Sequence, residues 1–131
     1  MIKTSELMLG DFIHLTDGQV AQVIAIDILG NIDVEFVEED ALNRIRAHEE
    51  DIYPIRLSEY FFLTNGFTRQ FHPADKIDYF IQDFVINRDG FNDFWFHIGN
   101  DKYIMINYIH QFQHILKSLK MYNIIDNLKI E

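Results

Sequence analysis

The strict alternation of residues 32–37, IDVEFV, sets Ile32, Val34 and Phe36 on one side of an extended chain and Asp33 and Glu35 on the other. A period of two marks a strand with one face in a core and one in water. Such a strand needs neighbours that pair with its backbone and cover its apolar side. The flanking sequence supplies them. DFIHL (11–15) runs into the turn TDG (16–18), and QVAQVIAID (19–27) runs into the turn LGN (29–31). RIRA (44–47) and IYPI (52–55) follow beyond the polar stretch EEDALN (38–43), and Pro54 ends or edges the last strand. Five short strands joined by tight turns predict a small barrel of the SH3-like kind over residues 1–56. Two features strain this reading. Val20 is followed by Val23, and Ile24 and Ile26 make the register imperfect, while EEDALNRIRA has a helical turn as its alternative.

From residue 57 the pattern changes. LSEYFFLTNGF (57–67) reads as a short helix, with Ser58 as N-cap, Glu59 in the first turn, and Asn65 and Gly66 at its end. TRQFHPADK (68–76) reads as a loop. IDYFIQDFVIN (77–87), FNDFWFHI (91–98) and KYIMIN (102–107) read as a three-stranded antiparallel meander, turning at RDG (88–90) and GND (99–101). A helix over 108–119 and a tail close the chain. The expected class is therefore α+β. A barrel subdomain (1–56) and a second part made of helix, meander and packing helix (57–131) form one compact unit. In FNDFWFHI, Phe91, Trp95 and His97 share one face, and Phe94, Phe96 and Ile98 the other. A strand apolar on both faces reads as a core layer, with a ligand-stacking platform or a subunit interface as alternatives.

The chain has no cysteine, which excludes structural disulfides, zinc–thiolate sites, Fe–S clusters and thiol catalysis. MIKTSELMLG does not read as a secretory leader, and VIAIDIL (23–29) is too short to span a bilayer. The expectation is a cytoplasmic protein with no membrane partner. The net charge is −10, unevenly spread: residues 1–66 carry 4 basic and 13 acidic side chains, residues 102–131 carry 4 and 2. An acidic surface opposes phosphate neutralisation, so no direct nucleic-acid binding is expected.

The nearest thing to a metal motif is the pair His110 and His114 in NYIHQFQHILKSLK (107–120). Four apart on a helix, two imidazoles share one face and could grip a metal ion with a third ligand. Ile109, Phe112, Ile115, Leu116 and Leu119 form an apolar stripe on the opposite side, with Lys117 beside the histidines. The pair thus reads as a solvated polar face, or a face docked on another element. H-E-x-x-H is absent, since Gln111 follows His110. Ser5, Ser58 and Ser118 lie in no nucleophile motif, no Gly-rich phosphate loop exists, and NRDGFND (87–93) lacks the spacing of a calcium loop. No cofactor and no enzyme activity are expected. The alternative is a metal-dependent or hydrolytic enzyme using His110 and His114.

Three stretches carry a resemblance: Glu6–Ile13 (ELMLGDFI), Asp51–Leu57 (DIYPIRL) and Tyr108–Gln113 (YIHQFQ). Together they resemble a group of small proteins from Bacteroidetes and their phages or mobile elements. Those proteins pair E-L-x-x-G-[DN]-[FY]-[IV] with D-I-x-P-I-x-L and end in Y-[IV]-H-Q-[LF]-Q. The resemblance covers both ends of the chain, while residues 68–100 match only in being strand-like. The group has no assigned activity, so it implies no site residue. Where relatives often read Asn after the H-Q-L-Q tract, this chain has His114.

With catalytic motifs lacking, the functional expectation is a small protein-interaction module with an acidic face. The two EED tripeptides supply the interaction residues Glu38, Glu39, Asp40, Glu49, Glu50 and Asp51. The expected partner is a protein with a basic surface, in one version a DNA-binding protein that the acidic face occupies as a nucleic-acid mimic. A homo-oligomer through the aromatic strand is the other partner reading.

Overall fold

In the computed structural model, residues 2–37, 44–82, 84–99 and 102–130 are described. They form β1 (Phe12–Leu15), β2 (Val20–Ile26), β3 (Asn31–Phe36), β4 (Arg44–His48) and β5 (Ile52–Tyr53), then the helix α1 (Glu59–Thr64). Next come β6 (Thr68–His72), β7 (Lys76–Ile81), β8 (Phe84–Arg88), β9 (Phe94–Gly99) and β10 (Lys102–Ile106), followed by α2 (Ile109–Ser118) and α3 (Tyr122–Ile125). The fold is α+β and mostly strands, as expected. The chain divides into two units: Met1–Arg56 with Tyr108–Lys120, and Leu57–Asn107 with Met121–Glu131.

The first unit holds an antiparallel sheet in the order β4-β3-β2-β1-β5. Alternation puts Ile13, Leu15, Ala21, Val23, Ile32, Val34, Ala47 and Ile52 into one core, with Ile2 and Leu7 from the N-terminal segment. The turns have the chemistry their residues favour. Gly18 sits at φ 84° and Gly30 at φ 86°, where a side chain would be strained. The imperfect register of β2 has a counterpart in the structure: Ala21 and Val23 are its buried residues, and its pairing with β3 shifts between Val23 and Ala25. An extra residue there interrupts the alternation, and Ala25 and Ile26 beyond it are both exposed. A single 3-10 turn, Glu49–Asp51, links β4 to β5, and the Asp51 carboxylate accepts from the His48 N–H at 3.1 Å.

The second unit corrects the three-stranded meander. Its sheet has five strands in the order β10-β9-β8-β7-β6. The stretch read as a loop contains β6, paired with β7 through a three-residue turn, 73–75, in which Ala74 (φ 66°) and Asp75 (φ 59°) are both left-handed. The run read as one long strand folds back on itself: β7 pairs with β8 from Ile77↔Arg88 to Ile81↔Phe84, and Gln82 at φ 53° makes the turn. The hairpin after Arg88 does form, but its left-handed residue is Asn92 (φ 66°) rather than Gly90, so Phe91 lies in the loop and is exposed. The turn expected at GND extends beyond the described residues.

α1 begins where the sequence indicated. Ser58 Oγ accepts from the Phe61 N–H at 3.1 Å, and Gly66 (φ 87°) follows the helix. Its two buried rings anchor the core of this unit. Phe62 packs within 5.2 Å of Phe67, 5.2 Å of Tyr79 and 5.3 Å of Phe94, and edge-on to Phe61 at 5.5 Å. Ile77, Tyr79, Phe84, Ile86, Phe94 and Ile106 supply the buried face of the sheet. Asn65 pins the tail through bonds of 2.7 Å to the Lys129 carbonyl and 2.6 Å from the Lys129 N–H.

Candidate functional site

Inside the first unit, α2 lies against the loop that leads into β1, and three of its polar side chains make that contact. Gln113, only 1% exposed, accepts from the Phe12 N–H at 2.8 Å and donates to the Gly10 carbonyl at 2.9 Å. His114 Nε2 lies 2.7 Å from Asp11 Oδ2. Lys117 Nζ donates to the Leu9 carbonyl. The reason is local. Alternation along DFIHL puts Asp11 on the same inward face as Ile13 and Leu15, and Asp11 is wholly buried. A buried carboxylate requires donors. It finds the His114 ring and the Met8 N–H, the latter at 2.8 Å.

This docking changes which face of α2 is inside. Ile109, His110, Phe112, Gln113 and Leu116 are buried, while Ile115 is only half-buried and Leu119 is 49% exposed. The expected stripe therefore holds at Ile109, Phe112 and Leu116 and fails at Ile115 and Leu119. Of the two readings of the histidine face, the docked one describes the structure. His110 is packed inside, and His114 bridges to Asp11.

Beside these side chains is a cavity of about 630 Å³, lined by Ser5, Glu6, Tyr108, His110, Gln111 and His114 among others. His110 stacks on Tyr108 (5.9 Å between ring centroids, 15° between planes) and meets His114 edge-on at 5.8 Å. Burial holds the His110 imidazole below its ordinary pKa, against the opposing pull of Asp11. The ring is thus neutral at neutral pH. Its Nδ1 is buried without a hydrogen-bond partner. Chemically, the wall offers one neutral imidazole and one imidazole oriented by a carboxylate, which can accept or relay a proton. Among the described residues, no group of three or more His, Asp or Glu side chains is placed to hold a metal ion.

The acidic interaction residues have different fates. Glu38, Glu39 and Asp40 lie outside the described residues. Glu49, Glu50 and Asp51 form the 3-10 turn between β4 and β5. Glu49 accepts from the Thr4 N–H at 3.1 Å and its hydroxyl at 3.4 Å, Asp51 caps the turn, and Glu50 is exposed. Two of these three carboxylates thus hold the unit's own backbone. In the second unit, Trp95 and His97 lie on β9, which has β8 on one side and β10 on the other, so its backbone edges are both occupied.

Sequence reasoning missed Asp11 and Gln113. The signal for Asp11 was present: an acid in step with two apolar residues on a strand's inner face demands a partner. Gln113 carried no comparable signal, because a glutamine on a helix reads as surface.

No protein-family model, curated protein or solved structure matches this chain. Among the described residues, no helix is long and apolar enough to cross a membrane.

Proposed function

We propose that this protein is an interaction module, and that its first unit is a small barrel of the SH3-like kind that docks a partner with an apolar and basic surface. The strand order β4-β3-β2-β1-β5 and the single 3-10 turn joining β4 to β5 support the barrel reading. Recognition of a partner rests on one observation above all, the tip of the β2–β3 hairpin. Asp27 Oδ1 accepts from the Leu29 N–H at 2.9 Å and the Asn31 N–H at 3.0 Å. The Asn31 bond leads the effects that hold the Asp27 carboxyl below its ordinary range. The turn is therefore built and stays built at neutral pH. It nevertheless holds Ile28 fully exposed and Leu29 79% exposed. Two large apolar side chains kept in water by a rigid turn give the fold nothing and suit a partner pocket.

The acidic balance of residues 1–56 supports a basic partner. Residues 1–56 carry 12 acidic and 4 basic side chains. Such a surface mainly steers encounter and selects partners, so association weakens with salt. Fold likeness alone would be analogy; the tip adds an observation specific to this chain. The test is affinity purification from the native host at low and high salt, followed by mass spectrometry. Basic proteins retained at low salt, and lost both at high salt and with Ile28→Ser/Leu29→Ser, are the expected result. Recovery of the same proteins with that variant and with Glu38, Glu39, Asp40 and Glu50 neutralised would sink the proposal.

A second reading, a hydrolytic enzyme using His110 and His114, is favoured by the Asp11–His114 pair beside the cavity. It requires His114 to turn over a substrate while still fastening α2 to the loop.

A further inference from the structure

The second sheet has a face that its aromatic core does not use. Alternation puts Tyr79, Ile86 and Phe94 on the buried side and sends Asp78, Asn87, Trp95 and His97 to the other. On that other side lies a second cavity, of about 670 Å³, within the size range of small-molecule sites. Its lining includes Asp78, Asn87, Arg88, Trp95, His97 and Tyr103, together with Lys76 and Asp89.

The polar groups there are organised among themselves. Both oxygens of Asp78 are engaged: one faces His72 Nε2 at 2.7 Å, and the other accepts from Asn87 Nδ2. Asp89 accepts from the Trp95 indole N–H at 2.9 Å and from the N–H groups of Phe91 and Asp93 at 2.8 and 3.0 Å. The indole bond leads the effects that hold the Asp89 carboxyl below its ordinary range. The Trp95 ring is thereby fixed in orientation before any ligand arrives. Two groups of the lining lack a hydrogen-bond partner, His97 Nε2 and Arg88 Nε, both buried; the His97 ring meets Tyr103 edge-on at 4.3 Å.

The chemistry left for a ligand is narrow. With their oxygens engaged, Asp78 and Asp89 offer little to a cation. Lys76 and Arg88 in the lining are balanced by Asp78 and Asp89, so the site has no net charge to hold an anion. What remains is an aromatic platform of Trp95 and Tyr103, ringed by groups that donate or accept: the Asn87 carbonyl oxygen, the His97 Nε2 and the Lys76 ammonium. A sugar ring matches both halves. Its axial C–H face carries positive partial charge and stacks on an indole, and its hydroxyls both donate and accept. We propose that this face of the second sheet is a binding site for a neutral saccharide, one ring stacked on Trp95 and its hydroxyls bonded by Asn87 and His97.

Trp95 is the chain's single tryptophan, so its emission reports on this site directly. The probes are hexasaccharides of glucose, xylose, mannose and N-acetylglucosamine in their common linkages, with AMP and benzoate as the anionic arm. The expected result is saturable change in Trp95 emission with at least one hexasaccharide, at a Kd below ~1 mM and insensitive to salt. Asn87→Ala and His97→Ala should each weaken it by about tenfold, with thermal melts confirming the fold. Silence of the intact protein to every hexasaccharide overturns the proposal. So does tighter, salt-sensitive binding of AMP or benzoate, which would make the cavity an anion site.

Discussion

Asp11 and His114 stand 103 positions apart and meet at 2.7 Å, the carboxylate wholly buried and the imidazole partly so. This bond, with those of Gln113, fastens α2 to the loop before β1. Replacing Asp11 with Ala leaves the Met8 N–H and the His114 ring without their acceptor. The expected loss is about 1–3 kcal/mol of stability, read from the urea midpoint. A variant as stable as the native chain would show that the bond is incidental to the fold.

Phe112 and Ile115 distinguish the buried face of α2 from the one that apolar periodicity suggests. Phe112 is fully buried, so Phe112→Ala should cost about 3–5 kcal/mol. Ile115 is only half-buried, and its Ala variant should lose roughly 1 kcal/mol or less. Equal losses in chemical denaturation would contradict the observed rotation of the helix.

His110 makes stability depend on pH in a definite direction. Burial lowers its pKa in the folded state, so the unfolded chain takes up the proton first as pH falls. The stability that the neutral ring contributes is complete above its unfolded pKa, about 6.5, and is lost as pH drops through the lower folded value. His110→Phe keeps the stacking on Tyr108 and removes both the titration and the unpartnered Nδ1. The variant should therefore gain on the native protein when denaturation is compared at about pH 5 and about pH 7.5. A native-minus-variant difference that stays constant with pH would remove His110 from the account.

Ala74 occupies the left-handed region at φ 66°, in the turn between β6 and β7. A side chain there costs about 1–2 kcal/mol, partly offset by the greater freedom glycine has in the unfolded chain. Ala74→Gly should stabilise the protein by roughly 0.5–1 kcal/mol. Lower thermal stability in the variant would mean the turn differs from the one described.

The strands of the first unit were legible because turn residues and alternation agree there: Gly18 and Gly30 punctuate and Ile32, Val34 and Phe36 alternate. The second sheet was only partly legible. IDYFIQDFVIN contains no glycine or proline, and Gln82 makes its turn from a residue type that rarely signals one. β6 is exposed along its whole length, so no apolar alternation marks it. The buried face of α2 was hidden for a different reason. Gln113 and His110 are buried through polar contact with the loop or packing on Tyr108, and a stripe drawn from apolar residues has no term for either. His110 and His114 of the cavity wall were in view as a pair, but Asp11, which bonds His114, meets it only through the fold.

The interaction reading places its weight on Ile28 and Leu29. These side chains are exposed and the turn that carries them is held by Asp27, so Ile28→Ser/Leu29→Ser should leave stability within about 0.5 kcal/mol of the native value. The decisive measurement is the affinity of the native and double-variant proteins for the most abundant basic protein recovered with the native chain, by titration at low salt. The account expects the variant to bind at least about tenfold more weakly at unchanged thermal stability. Equal affinities for the native and variant proteins would contradict it.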